Sequence, residues 1–203
     1  MKRSLTTERP LHGPQSCIHV SRVAAATILL TRLAIPTAIA QQNRPNDSEV
    51  KAAYLVNFGK FVREPGIQTT RTSFDICLVG HDSMGQTIDD LAANQTIDNL
   101  PVRLRRLPDI SQAKGCAIVY ISADEGDRLR EDLAILSPFD ALTVSDASDF
   151  LDRGGMIQFL LIENHLRFAV NLNAVNHAHL VLSSELLRVA SSVTGKPPNG
   201  EVP

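Results

Sequence analysis

The 203 residues hold no surplus of positive charge, no apolar run of bilayer-crossing length, and no cluster of side chains with catalytic spacing. Each absence removes a class of function. A formal net charge of −2, from 20 Lys and Arg against 22 Asp and Glu, offers no basic face to the phosphates of nucleic acid. Two apolar stretches near the start, Val23 to Thr31 and Leu33 to Ala40, fall short of the ~20 residues that a membrane helix needs, and nothing after Ala40 comes closer. Ser122, Ser145, Ser183 and Ser184 lie outside any Gly-x-Ser-x-Gly elbow and read as caps of the helices that follow them. The acidic pairs Asp89-Asp90 and Glu131-Asp132 read as solvated helix faces. His177 and His179 would share one face of an extended segment, but no cysteine or third ligand completes a metal site. The turn Gly80-His81-Asp82-Ser83-Met84-Gly85 stands where a phosphate cradle would, between a strand and a helix. It lacks the Lys-Ser/Thr of a P-loop and the Gly-x-Gly of a dinucleotide site, so an ordinary turn capped by Asp82 or Ser83 is the better reading. Catalytic residues, metal ligands and cofactors are therefore not assigned.

What is present is a chain that is 43% apolar and 21% charged, the balance of a soluble domain with a full core. Its first forty residues differ from the rest. Lys2, Arg3, Arg9 and Arg22 precede the apolar stretches, and Ala38-Ile39-Ala40 has the small-residue pattern of a cleavage site. This order is that of a secretory signal peptide over residues 1–40, with Gln41 as the expected new N-terminus; a retained anchor is the competing reading. Cleavage would remove Cys17 and leave the pair Cys77 and Cys116. The pair is compatible with a disulfide or with two buried thiols, and export tips the balance toward the bond.

After a lead-in over residues 41–47, Asp47 or Ser48 is placed to cap a helix whose apolar positions Val50, Ala53, Tyr54, Phe58, Phe61 and Val62 recur at helical spacing up to Pro65-Gly66. The spacing then predicts strands over 74–80, 101–107, 116–121 and 141–144, with helices over 83–93 and 124–136 between them. Such alternation suits a mainly parallel sheet flanked by helices. Met156 to Ile162 and Leu166 to Leu172 read as an antiparallel hairpin turning at Asn164, the second strand lying near an edge. A final helix from Ser183 or Ser184 is expected to bury Leu186, Leu187, Ala190 and Val193. The fold expected is thus α/β, with a mixed, mainly parallel sheet and a C-terminal antiparallel hairpin and helix, forming one domain over 48–195 with a disordered tail over 196–203. Within it Arg153-Gly154-Gly155-Met156 stands out, because paired glycines before an apolar strand indicate uncommon backbone angles or a close approach.

Several separated pieces, in one order, resemble the YfiR family of periplasmic repressors. They include Val50-Lys51-Ala52-Ala53-Tyr54-Leu55-Val56-Asn57-Phe58, Ile76-Cys77-Leu78-Val79-Gly80 and Cys116-Ala117-Ile118-Val119-Tyr120-Ile121-Ser122. Leu142-Thr143-Val144-Ser145-Asp146, Arg153-Gly154-Gly155-Met156-Ile157, Arg167-Phe168-Ala169-Val170-Asn171-Leu172 and Leu182-Ser183-Ser184-Glu185-Leu186-Leu187 follow. The resemblance implies a periplasmic negative regulator that contacts an inner-membrane diguanylate cyclase of the YfiN type, lowers cyclic di-GMP and restrains biofilm formation. An outer-membrane YfiB-type lipoprotein would relieve the repression, and a homodimer is compatible with this picture. The family's disulfide carries over to Cys77 and Cys116, whereas a second pair found in some members falls on Leu151 and Gln158. The candidate partner-binding residues are Arg153, Gly154, Gly155, Met156, Ile157, Arg167 and Asn171. A small-ligand sensor using the Gly80 to Gly85 turn is the alternative function.

Overall fold

The computed structural model describes residues 46–63 and 71–196. The expected signal peptide, its cleavage site, most of the lead-in, the Pro65-Gly66 stop and the tail beyond Lys196 lie outside the described residues. Helix α1 (Asp47–Phe58) starts on a capping box. The Asn46 side chain accepts a hydrogen bond from the Glu49 amide at 2.8 Å, and the Glu49 carboxylate accepts one from the Asn46 amide at 3.2 Å. Asn46 therefore does the capping expected of Asp47 or Ser48. The helix also stops earlier than the apolar spacing suggested. Gly59 is packed so tightly on Ile97 and Phe74 that a Cβ would overlap them, and the chain leaves it to form β1 (Val62–Arg63).

Strand β2 (Phe74–Val79), α2 (Gly85–Ala92), β3 (Thr96–Ile97), β4 (Leu100–Leu107), β5 (Ile118–Ile121), α3 (Leu129–Leu136) and β6 (Leu142–Ser145) follow in chain order. The third helix is shorter than the expected 124–136 segment. Ala123–Glu125 makes a separate 3-10 turn, and Gly126, a weak helix former, gives its carbonyl to the Arg153 guanidinium at 2.8 Å. Then come β7 (Ile157–Ile162), β8 (His165–Asn171), α4 (Leu172–His177), β9 (Val181–Leu182), α5 (Ser184–Val189) and β10 (Ser192–Thr194). The β7–β8 hairpin turns through Glu163 and Asn164, both at positive φ (49° and 59°), the geometry that matches the twist of paired strands.

The main sheet has the order β10-β8-β7-β6-β5-β2-β4-β3. Strands β4, β2, β5, β6 and β7 run parallel to one another, while β8 is antiparallel to β7 and β3 is antiparallel to β4. The fold is thus α/β with a mixed, mostly parallel sheet and an antiparallel hairpin near the C-terminus. Because β4 and β5 lie on opposite sides of β2, the strand order reverses there, as in doubly wound sheets. The two faces of β2, β5 and β6 enter different clusters. Ile76, Leu78, Ile118, Tyr120, Leu142 and Val144 pack with α1, α2 and the C-terminal helices. Cys77, Val79, Val119 and Ile121 pack with Ile110, Leu129, Leu136 and Phe150 on the α3 side. Burial on both faces is why these strands read as continuous apolar runs. Four rings, Tyr54, Phe58, Phe159 and Phe168, meet at centroid distances of 5.2 to 6.0 Å and fix α1 over the hairpin.

The C-terminal expectation needs correction. Helix α5 ends at Val189, Ala190 turns extended, and Val193 lies in β10 at 39% exposure instead of being buried in a helix. The free edge of β8 accounts for this, since the Ser191 amide and hydroxyl both donate to the Phe168 carbonyl at 2.8 Å before β10 pairs alongside. Strand β8 is accordingly next to the edge, with β10 outermost. A second small sheet, β1 against β9, ties the end of α1 to the C-terminal region through Val62 opposite Leu182 and Arg63 opposite Val181.

Candidate functional site

The paired glycines do two different things. Gly154 has φ +101°, which an L side chain rarely adopts, while Gly155 is buried so closely on the Phe150 ring that a Cβ would overlap it. The turn they make is held by its neighbours. The Arg153 guanidinium donates to the Asp149 carboxylate at 3.0 Å and to the Gly126 carbonyl at 2.8 Å, and the Met156 amide donates to the Thr143 hydroxyl at 3.2 Å. Asn171 joins this turn to α4. Its side-chain amide donates to the Leu151 carbonyl at 3.2 Å, while its oxygen accepts from the Asn173 and Ala174 amides and caps the helix. Leu172 therefore opens α4 instead of ending a strand, and the His177–His179 segment is not extended: His177 closes the helix and His179 sits at φ 54°.

Strand β7 pairs with β6 only at Val144–Ile157 and Ser145–Gln158, so the start of β6 has no β7 neighbour and the sheet opens beside it. The opening forms a cavity of about 480 Å³ between α3 and α4. Arg153, Gly154, Met156 and Asn171 all line it. The other sequence candidates are elsewhere: Gly155 is buried against Phe150, Ile157 is wholly buried in the core, and Arg167 is exposed on the hairpin opposite Leu160. Arg130 from α3 and His177 from α4 complete the cavity's polar rim. Arg130 carried no local signal, and His177 was legible only as half of a metal spacing.

The C-terminal ends of β2, β5 and β6, the usual ligand crevice of such a sheet, are filled by the chain itself. The Asp82 carboxylate accepts from the Met84 amide at 2.9 Å and the Gly85 amide at 3.0 Å, taking donors a phosphate would need. The Arg106 guanidinium meets that carboxylate at 2.8 Å and the Asp89 carboxylate at 2.7 Å. Hydrogen bonding to Arg106 holds the Asp89 carboxyl below the usual range. Alongside, the Ser122 hydroxyl donates to Asp124 at 2.7 Å, so Ser122 binds a carboxylate and caps no helix. Lys51 of α1 reaches Asp146 at 2.5 Å, and the Ala123 amide donates to the same carboxylate at 3.0 Å. Beneath them the Tyr120 hydroxyl is buried without a hydrogen bond. Burial, with the Asp146 charge facing it, pushes that phenol far above its ordinary range.

Cys77 and Cys116 form a disulfide with Cα atoms 6.0 Å apart, both sulfurs inside the α3-side cluster. The Leu151 amide donates to the Gln158 side-chain oxygen at 3.3 Å. Asp132 corrects the expectation of a solvated acid. It is 1% exposed, its oxygens accept no hydrogen bond, its nearest cation is Arg128 at 3.9 Å, and burial raises its pKa. Among the described residues no group of three or more His, Cys, Asp or Glu side chains is arranged to hold a metal, and no helix is long and apolar enough to cross a membrane.

Residues 48–191 match the model of the YfiR/HmsC-like family. The chain belongs to that family. No curated protein matches it. Among solved structures, the ABC domain in complex with L-Trp from Streptococcus pneumonia is 10% identical with a TM-score of 0.52, over 70% of this chain and 60% of that one. A conserved domain protein from Vibrio cholerae O1 biovar El Tor is 10% identical with a TM-score of 0.49, over 73% of this chain and 60% of that one. The YfiR/HmsC-like chain described here therefore spans 60% of the length of each of these structures. At such identity the first of them shows a shared fold and nothing further.

Proposed function

We propose that this chain is a periplasmic negative regulator that binds the periplasmic domain of an inner-membrane diguanylate cyclase of the YfiN type. The observation that carries the reading is the match to the YfiR/HmsC-like family across nearly every described element, α1 through α5. A repressor of this kind works by linkage: binding the inactive cyclase better than the active one shifts the population by the difference in affinity. Arg153, Gly154 and Asn171 at the cavity mouth, with Arg167 on the hairpin, are the proposed contacts, and a YfiB-type lipoprotein that sequesters the protein would release the cyclase. No chemistry is required of the chain. The Gly80 to Gly85 turn gives the small-ligand alternative little support, because Asp82 already takes its amides.

The test is capture of the cyclase's periplasmic domain by the purified protein, combined with cyclic di-GMP levels in cells lacking the gene. Capture and a rise in cyclic di-GMP on deletion are expected; neither occurring would refute the function. Arg167→Glu, an exposed position outside the hydrogen bonds of the turn, is expected to weaken capture with an unchanged melting curve. Undiminished capture would remove the hairpin face from the contact surface and leave the function standing.

A further inference from the structure

The geometry points to the cavity between α3 and α4 as a binding site for a small organic anion with an apolar body. This goes beyond the repressor reading and does not depend on it. A volume of about 480 Å³ lies within the range of small-molecule sites, roughly 300–1,000 Å³. The charge of its lining is one-sided. The whole chain has more acids than bases, yet no Asp or Glu lines this cavity, while Arg130 and Arg153 do, with the His177 imidazole beside them as a further polar group. Arg153 is already engaged by Asp149 and the Gly126 carbonyl. Among the described residues, the side chains of Arg130, His177 and Asn173 have no hydrogen bond or ion pair, so their donors are available to a ligand.

Depth separates the two kinds of wall. Arg130, Asn173 and His177 are exposed at the rim, whereas Met156 and Ala141 are buried at 7% and 1% exposure, and Leu133 and Phe139 are half-buried between them. An anionic head held at the rim places an apolar body against Met156, Leu133 and Phe139. The ligand class that fits is an aryl or long alkyl carboxylate or sulfonate. A bare inorganic anion would leave the apolar floor uncovered, and a cation would meet the wrong charge.

Naphthoate is the probe, with naphthylmethylammonium and acetate as controls, each titrated into the purified chain and followed by backbone-amide NMR. Saturable naphthoate shifts are expected at Arg130, Leu133, Asn173 and His177, with none of comparable size from either control. Arg130→Ala with His177→Ala, both exposed and without side-chain bonds to the rest of the chain, is expected to leave the melting curve unchanged and to weaken binding roughly tenfold or more, the equivalent of losing a charge-assisted hydrogen bond. Shifts that do not saturate, that map elsewhere, that the ammonium reproduces, or that survive the double substitution unchanged would each overturn the assignment.

Discussion

Breaking the Cys77–Cys116 bond isolates what one crosslink does for this fold. The two cysteines are 39 residues apart in sequence, and the segments they join already lie side by side, with Cys77 opposite Val119 in the β2–β5 ladder and Cys116 just before β5. The folded state therefore has little to gain from the bond in contacts. Its effect falls mainly on the unfolded chain, where closing a loop of that length removes conformational entropy equivalent to about 4 kcal/mol. For a chain of this size such a loss lowers the melting temperature by roughly 8–16 °C. Urea unfolding of oxidised protein, and of protein reduced in denaturant and refolded with reductant, measures the difference directly. The reduced form should show both a lower midpoint and a larger m value, because its unfolded state exposes more surface. Native protein should also resist dithiothreitol, since Cys77 and Cys116 are 0% and 2% exposed and must wait for opening of the sheet. A stability difference under ~1 kcal/mol with an unchanged m value would refute the unfolded-state account. Reduction of the native protein as fast as the unfolded chain would refute the burial.

Three further substitutions test separate parts of the structure. Asp132 is a buried acid whose folded pKa is raised, so folding favours its protonated form: the penalty is full above the folded pKa and fades as pH falls toward the unfolded value. Asp132→Leu should accordingly add about 1–3 kcal/mol at neutral pH and less in acid, as urea melts at the two pH values will show; destabilisation at neutral pH would mean the Arg128 contact outweighs the burial. Gly154→Ala forces a side chain onto φ +101° and should cost about 1–3 kcal/mol in the same melts, whereas an unchanged midpoint would show that the turn adapts. Leu151→Cys with Gln158→Cys replaces a backbone-to-amide hydrogen bond and should form a second disulfide, seen by mass after alkylation, adding about 2.5 kcal/mol; two alkylated thiols would refute it.

The parts of the fold that were legible in the sequence are those whose side chains alone determine them. Strands β2, β5 and β6 are buried on both faces, and a buried parallel strand has to be a continuous apolar run. The hairpin was legible because Asn164 tolerates positive φ between two strand-like apolar runs, whereas Glu163, which takes the same conformation, carried no such signal. By contrast β1, β3, β9 and β10 are two or three residues long and exist because a neighbouring edge needs partners, which local sequence cannot announce. Helix α4 was hidden by Asn171, which closes a strand and caps a helix at once. Of the cavity, the Arg153-Gly154-Gly155-Met156 turn was visible through its glycines. Arg130 and His177 were not, since only the packing of α3 and α4 on either side of the β6–β7 opening brings them together.

The order reversal around β2 places the expected ligand crevice of a doubly wound sheet beside Gly80 and Ser122, and this chain has closed it with its own ion pairs. The open space is instead at the β6–β7 gap, where the sheet has lost a neighbour. Tyr120 tells whether the closure is complete. Its hydroxyl is buried under the crevice, close enough to interact with Asp146 and Ser83 but outside hydrogen-bonding distance and angle of either. If the crevice is only sealed packing, Tyr120→Phe removes an unsatisfied group and should leave stability unchanged or raise it by up to about 1 kcal/mol. The phenyl ring keeps the same contacts with the α1-side cluster, so no cavity term enters. A loss of more than ~1 kcal/mol would show that the hydroxyl has a partner in solution, and that the crevice at the strand ends still admits one.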